Sequence, residues 1–300
     1  MARYGVPYRG SKSTIAPWVV ENLPRATTLV DLFAGGCAVT HAAMVSGKFE
    51  RFVVNDLADT PKVFEAAIKG EFEGMDTVLT REEFKACDDD ALRLMYSFGN
   101  NRKDYLWSHE LEPVKVEASK MLSAHSMYER RMHYHSFMRN LRAYIESNGM
   151  PDDPQHDGSL QSLESLERLQ SLERLQSLES LERLESLESL QRDYRLVGIP
   201  NDSTVYADPP YRGTDCRAYD EGGTGFDFAA FDAWLANVPC MVVVSEYTAP
   251  EGCVEVASRV KTVTSAATVT KQATERLFVH EKWLDEYRER MAVGETASLF

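Results

Sequence analysis

Short apolar runs, each closed by a turn, recur towards both ends of the chain. Residues 28–33, Arg51–Asn55 and 204–207 are rich in β-branched and aromatic residues and predict buried strands. Residues 37–44 have the apolar content of a helix, and a shorter helix is predicted through Ile15. A strand, a glycine turn and a helix in succession are typical of a Rossmann-like unit, so the pattern predicts an α/β fold.

The glycine turn after the first predicted strand is a candidate ligand site. Ala34-Gly35-Gly36 would let the backbone approach a ligand closely at the N-terminus of the next helix. The second strand is followed by Asp56, about twenty residues beyond the turn, where such folds hold ribose hydroxyls. Glycine pairs occur in many α/β turns, but the correctly placed acid strengthens the prediction of a nucleotide-like cofactor.

The strand at 204–207 runs directly into Asp208-Pro209-Pro210-Tyr211. Two prolines hold the backbone extended and carry no N–H, so the local carbonyls face a site without neighbouring backbone donors. The carboxylate and a carbonyl could accept both hydrogens of a planar amino group while the ring stacks on the flat base. An exposed Asp in an ordinary Pro-Pro turn is the alternative.

The N-terminal run Tyr8-Arg9-Gly10-Ser11-Lys12 precedes the first predicted helix. Lys12 could pair with a carboxylate or another acceptor in the pocket. The run has neither the leading glycine of a P-loop nor the glycine directly before its lysine. This excludes nucleotide hydrolysis through that motif.

Composition allows a cytoplasmic enzyme. The chain of 300 residues is enough for one large domain or two smaller ones. No apolar run approaches the roughly 18–20 residues of a membrane span, and the N-terminus lacks a signal peptide's apolar core. The five cysteines, at 37, 87, 216, 240 and 253, have no zinc-site spacing and predict reduced thiols, no metal and no disulfide framework.

The net charge of −14 argues at first against a nucleic-acid partner. Residues 151–192, however, hold ten acids and four basic residues and so account for −6 of it. Residues 128–144 hold four arginines, two histidines and one acid among aromatic residues. That composition suits contacts to phosphates and bases, although a helix with a solvated basic face is the plainer interpretation.

Leucine recurs every third residue from Ser159 to Gln191. At about 100° per residue these leucines would wrap around an α-helix, and the spacing fits neither a heptad repeat nor strand alternation. A 3₁₀-helix would align them but is uncommon beyond about one turn, and a solenoid with three-residue faces remains open. The segment is either an insert without a role in the chemistry, an arm for self-association or another partner, or a spacer.

Together the motifs resemble the Dam-like (D12 class) DNA adenine-N6 methyltransferases, particularly forms common in phages. The order of Tyr8–Lys12, Asp31–Gly36, Asn55-Asp56 and Asp208–Tyr211 carries the likeness. The segments 97–101, 243–247 and 275–279 are also similar, and only about 151–192 falls outside it. A tyrosine at 8 and a serine at 11 stand where the family often has Trp and Gly.

The resemblance implies a class I methyltransferase sheet with a small helical target-recognition part, S-adenosylmethionine as cofactor, double-stranded DNA as partner, and a bacterial or phage-infected host cell. The implied catalytic residues are Asp208, Pro209, Pro210 and Tyr211. The implied cofactor contacts are Tyr8, Lys12, Phe33, Gly35, Asp56 and Asp208. Candidate DNA contacts are Arg130, Arg131, Tyr134, Arg139 and Arg142, with Phe137 as a possible wedge.

We expect a cofactor-binding half at 1–95, a target-recognition region at 96–150, the repeat at 151–192 and a catalytic half at 193–300. The chemistry leaves neighbouring alternatives open. RNA adenine and cytosine N4 present the same amine problem, and a catalytically silent DNA-binding protein could keep the fold. The expected enzyme transfers a methyl group to the N6 amine of a flipped-out adenine.

Overall fold

The computed structural model describes residues 4–8, 10–71, 77–148, 187–213, 225–264 and 270–297. Its contacts divide the chain into two compact units. The first comprises Met1–Gly5, Ser11–Glu65 and Leu181–Phe300, and the second comprises Val6–Gly10 and Ala66–Ser180. This is a division by contacts, and the functional division proposed from the sequence, with its boundaries at 95, 150 and 192, stays a prediction.

The first unit is built on a seven-stranded sheet of order β3-β2-β1-β4-β5-β7-β6. Its strands are β1 (Thr28–Asp31), β2 (Arg51–Asn55), β3 (Leu187–Leu190), β4 (Ser203–Ala207), β5 (Val242–Glu246), β6 (Cys253–Thr264) and β7 (Thr270–His280). The first five run parallel, whereas β7 is antiparallel to both β5 and β6. The α/β fold class with a Rossmann-like sheet is thereby confirmed.

Helices pack on this sheet, whose central strands are largely apolar and buried. The helices of the unit are α1 (Ala16–Glu21), α2 (Ala38–Ser46), the start of α3 (Thr60–Ile68), α8 (Phe228–Asn237) and α9 (Leu284–Ala297). Every residue of β1, and every residue of β5, is buried, as expected for parallel strands covered on both faces. Phe231 and Leu235 of α8 pack onto Val205 and Val244 in the core.

The end of the leucine repeat corrects one expectation. Leu187–Leu190 form the edge strand β3, paired in parallel with Phe52–Asn55, although a period of three does not alternate as a strand does. Backbone hydrogen bonds hold an edge strand without strict alternation, and Leu187, Ser189 and Leu190 are only half-buried. The Ser189 hydroxyl also donates to the Glu65 carboxylate. The repeat before residue 187 lies outside the described residues.

The second unit is helical in its described part, with α4 (Arg81–Ala86), α5 (Asp90–Met95), α6 (Glu112–Ser123) and α7 (Met127–Asn148). Thr80 and Glu83 form a capping box that begins α4. The long helices α6 and α7 form a hairpin, joined by a 2.9 Å contact between His133 Nδ1 and Glu117 Oε2. No residue of α7 is fully buried, so this helix presents most of its surface to solvent.

Candidate active site

The carboxyl ends of β1 and β4 lie side by side, since Asp31 pairs with Tyr206 in the parallel ladder. On the β1 side of this point the next strands of the sheet are β2 and β3, and on the β4 side the next strand is β5. Ligands of open α/β sheets bind beyond the carboxyl ends of strands at such a switch point. The turn after β1 and the Asp208–Tyr211 segment after β4 both begin there.

The glycine turn after β1 is in close contact with two other segments, which contain Asp56 and Gly5. Gly35 has a φ of 48°, and its N–H donates to Asp56 Oδ2 at 2.8 Å. Gly5 lies against the same turn, where a Cβ atom would be 2.1 Å from the Gly36 carbonyl oxygen. Only glycine permits that approach at φ 69°. The turn is therefore joined to the tip of β2 and closely packed against Gly5.

Lys12 binds the carboxylate that follows β4. Its Nζ lies 2.9 Å from Asp208 Oδ1 and 3.4 Å from Glu275 Oε1, and the lysine side chain is only 10% exposed. Burial lowers the pKa of Lys12, but attraction to the two carboxylates outweighs it and raises that pKa above its ordinary value. The sequence-based expectation that Lys12 pairs with a carboxylate is confirmed.

Asp208 itself is a perturbed acid. Burial raises its pKa, the Lys12 ammonium lowers it, and the nearby Glu275 carboxylate raises it again, with a net increase. Pro209 beside it is buried. A partly desolvated carboxylate next to a Pro-Pro turn is suited to accepting hydrogen bonds from a neutral amine.

Tyr211 is held at both ends. Its hydroxyl donates to Glu275 Oε1 and lies 2.9 Å from Ser245 Oγ. The Lys12 ammonium is 4.4 Å from the ring centroid, and the ring meets Tyr247 at 82° with a centroid separation of 4.5 Å. The chain beyond is fixed as well, because the Arg212 N–H donates to Glu246 Oε2 at 2.9 Å. The ring is thus fixed in orientation by neighbours on several elements.

Sequence reasoning missed two buried acids at this edge. Asp31 ends β1, and its Oδ2 accepts a 2.8 Å hydrogen bond from Thr40, while its buried Oδ1 has no hydrogen-bond partner among the described residues. Burial raises the pKa of Asp31 to about 7. Glu275 is the second, and it lies on β7. For Asp31 the available signal was an acid at the end of a buried strand. The residues before Glu275 on β7 are mostly polar and gave no such signal.

The remaining predicted cofactor residues lie in different surroundings. Phe33 is half-buried in an aromatic cluster, with ring centroids 5.2 Å from Tyr194 and 5.8 Å from Phe226. Tyr8 belongs to the second unit and is half-buried there. The Cys37 thiol is fully buried and its pKa is raised well above its ordinary value, which argues against a nucleophilic role.

All five predicted DNA contacts lie exposed on α7. At about 100° per residue they fall within about half of the helix circumference. The residues are Arg130, Arg131, Tyr134, Arg139 and Arg142. Three of them, Arg130, Arg131 and Tyr134, line an open groove of about 530 Å³ together with Met121, Met127 and Tyr128. Tyr128 was not among the predicted contacts, although it is 74% exposed.

The sheet order, the switch-point turn and the Asp208–Tyr211 segment after β4 agree with a Rossmann-like methyltransferase. Residues 8–237 match the family of D12 class N6 adenine-specific DNA methyltransferases, and the chain belongs to that family. It is an adenine-specific DNA methyltransferase, so the predicted recognition is confirmed at family level. No curated protein matches the chain.

A metal site and a membrane-spanning helix are both absent from the described residues. Within the described ranges no group of His, Cys, Asp or Glu side chains is arranged to hold a metal ion. No helix among those residues is both long and apolar enough to cross a membrane.

Proposed function

We propose that the chain transfers a methyl group from S-adenosylmethionine to the N6 amine of an adenine flipped out of double-stranded DNA, with Asp208 at the reacting centre. The observation that carries this is the 2.9 Å pair between Lys12 and Asp208 at the carboxyl end of β4. It sets a desolvated acceptor beside the sheet's switch point, where a cofactor and a planar base can meet.

The turn after β1 fits the proposed cofactor. Gly35 allows close backbone approach, and Asp56 at the tip of β2 is the proposed partner of the ribose hydroxyls. The buried Asp31 Oδ1 supplies an acceptor for a cationic group such as the amino group of the methionine part. Phe33 adds aromatic surface. S-adenosylmethionine, when bound, provides the methyl group on a sulfonium, whose sulfur is a good leaving group.

The residues after β4 prepare the amine for attack. The exocyclic nitrogen of adenine is a poor nucleophile because its lone pair is delocalised into the ring. Hydrogen bonds from this amine to the Asp208 carboxylate and the Pro209 carbonyl favour a localised lone pair as the nitrogen becomes tetrahedral. Pro210 keeps the turn extended and removes a competing donor. Asp208 need not be a strong base, since a methylated ammonium loses its proton readily.

Tyr211 provides the proposed wall for the flipped base. Because the Lys12 ammonium lies 4.4 Å from the ring centroid, the base would use the face of the ring opposite to Lys12. The hydroxyl contacts to Ser245 and Glu275 keep that face in one orientation. Correct placement of nitrogen, carbon and sulfur in line supplies much of the remaining acceleration.

DNA binding is assigned to α7. Exposed arginines at 130, 131, 139 and 142 suit phosphate or guanine contacts, and Tyr134 with its neighbours in the groove suits contacts to unstacked bases. We propose that this surface recognises the target and that the repeat within 159–186 is dispensable for chemistry, with self-association as its alternative role.

The test uses the purified full chain, duplex DNA and S-adenosylmethionine. Calorimetry measures cofactor binding, and mass spectrometry of the digested DNA measures N6-methyladenine and N4-methylcytosine. We expect cofactor binding and N6-methyladenine alone. Cofactor binding without any methylated base would contradict the proposed reaction, and N4-methylcytosine as product would contradict the proposed target. Sequencing of modified bases from expressing cells would then give the recognised site.

A further inference from the structure

Beyond its contact with the Tyr211 hydroxyl, the proposed reaction gives the wholly buried carboxylate of Glu275 no role. It lies on β7, one residue before Arg276, which pairs with Glu246 at the carboxyl end of β5. Its position on the sheet is therefore just beyond the end of β5. Asp208 follows the end of the neighbouring parallel strand β4, so both acids lie at the same edge of the sheet.

One oxygen of Glu275 gathers groups from three separate elements. Oε1 lies 3.4 Å from Lys12 Nζ, accepts the Tyr211 hydroxyl, and is 3.5 Å from Ser245 Oγ. Lys12 precedes α1, Tyr211 follows β4, and Ser245 is on β5. Because a single atom makes these contacts, a change at Glu275 would remove one contact of the lysine and one contact of the tyrosine together.

A carboxylate at this position is costly to bury. Removing a carboxylate from water is unfavourable, and pairing offsets that cost only when the geometry is good. The neighbours on β7, Leu277 and Phe278, are buried apolar residues, so the strand readily accommodates apolar side chains in the core. Lys12 already has a closer partner in Asp208, at 2.9 Å. Neutralising the lysine therefore does not account for a second carboxylate.

We infer that Glu275 is a positioning residue for methyl transfer, which holds the Tyr211 hydroxyl and shares the Lys12 ammonium so that Asp208 and the aromatic wall keep their reactive arrangement. The inference rests on the proposed function. Glu275 acts through Tyr211 and Lys12 and has no contact with the reacting atoms in this role. Small displacements of such groups are expected to reduce the rate of chemistry more than the affinity for the cofactor.

The charge of Glu275 has a second consequence, for the pH dependence. The charged and titratable groups around Asp208 are Lys12, Glu275, Tyr211, Asp31 and Tyr206. Burial raises the pKa of Asp208, Lys12 lowers it, and Glu275 raises it. Removing the Glu275 charge must therefore lower the pKa of Asp208. Since Asp208 acts as an ionised acceptor, the acid limb of the rate profile should move to lower pH.

Glu275→Gln is the decisive variant, because it keeps the shape of the side chain and removes its charge. Single-turnover methylation by the full chain should fall at least about 10-fold, with cofactor affinity changed less than about 3-fold and the acid limb shifted down in pH. Glu255→Gln is the matched control on the adjacent strand β6, where Glu255 is 43% exposed and pairs with Arg276 at 3.4 Å. Its rate should stay within about two-fold of wild type.

A double-mutant cycle separates positioning from general damage to the fold. In a Tyr211→Phe background, Glu275→Gln should cost less than in wild type, since one of its contacts is already gone. An additive loss, an unshifted acid limb, or a rate within about two-fold of wild type would overturn the inference. If Glu275→Gln does not fold, Tyr211→Phe alone decides it, and a loss below about two-fold overturns it. An inactive wild type would instead refute the proposed function.

Discussion

The candidate active site in the first unit buries its charged side chains, whereas α7 in the second unit exposes them. In the first, Lys12 lies 10% exposed between two carboxylates, and each partner is fixed by a strand or a tight turn. In the second, the arginines of α7 are exposed on a helix with no fully buried residue. Buried charges depend on mutual geometry, whereas exposed charges are solvated and screened by salt. Substitutions of the buried charges in the first unit should therefore have large effects on activity. Substitutions of the exposed arginines in the second unit should have smaller effects that depend on salt.

The largest effect is expected at the centre of the buried cluster. Asp208→Ala should reduce methyl transfer at least about 10³-fold, because the amine loses its charged acceptor. The fold should persist, since Lys12 keeps Glu275 as a partner at 3.4 Å. Methylation rates and thermal unfolding check both statements. Asp285→Ala, at an exposed position on α9, is the control. Wild-type rates in Asp208→Ala would refute the assignment of the active site.

The leucine repeat offers a comparison of two deletions. Removing 159–186 leaves β3 in place, and we expect methylation within about 3-fold of wild type. Extending the deletion to 191 removes the edge strand that pairs with β2, together with the contact of Ser189 to Glu65. That variant should lose about 5 °C or more in melting temperature. Equal stability of the two deletions would show that β3 contributes nothing to the sheet, and changed oligomerisation of the shorter deletion would favour the self-association role.

The proposed DNA interface on α7 is tested by the double variant Arg130→Gln with Arg131→Gln. If both arginines contact phosphates, DNA affinity should fall about 10-fold at low salt. The slope of log K against log salt is negative, and it should become less steep by about 2. The rate with bound DNA should change little, because the reacting groups lie in the other unit. Arg288→Gln on α9 should leave the slope unaltered. An unchanged slope in the double variant would remove α7 from the DNA interface.

Local patterns predicted the elements that are locally determined. The bounds of β2 agree with the sequence-based strand, and the glycine turn follows β1 as expected because backbone freedom at Gly35 is a property of that residue alone. Lys12 was also expected to find a carboxylate, and it pairs with Asp208. These signals depend on residue type and on spacing along the chain.

What the sequence did not predict depends on distant pairing. Glu275 meets Lys12 only because β7 folds back beside β5, and nothing near either residue encodes that neighbour. The strand at Leu187–Leu190 was missed since its pairing with β2 spans more than a hundred residues and needs no alternating pattern. Asp31 was passed over as the polar end of a strand, although its burial gives it the perturbed pKa.

A substitution at Asp31 is expected to change stability and cofactor affinity in opposite directions. Burial raises its pKa to about 7 in the folded protein, against about 3.9 in an unfolded chain. The folded state therefore binds a proton that the unfolded state has released between these values. The stability from protonated Asp31 is fully present below about pH 3.9 and is lost as the pH rises through about 7.

Asp31→Asn removes that dependence while keeping an oxygen that can accept the Thr40 hydroxyl bond. At pH 8 the variant should melt at a higher temperature than wild type, and the difference should shrink towards pH 5. Its affinity for S-adenosylmethionine should fall at the same time, because the neutral amide attracts a cationic group less strongly. Asp285→Asn should show neither change. A variant that is less stable at pH 8, or that binds the cofactor as tightly as wild type, would mean that the buried acid at the end of β1 is structural and takes no part in the ligand site.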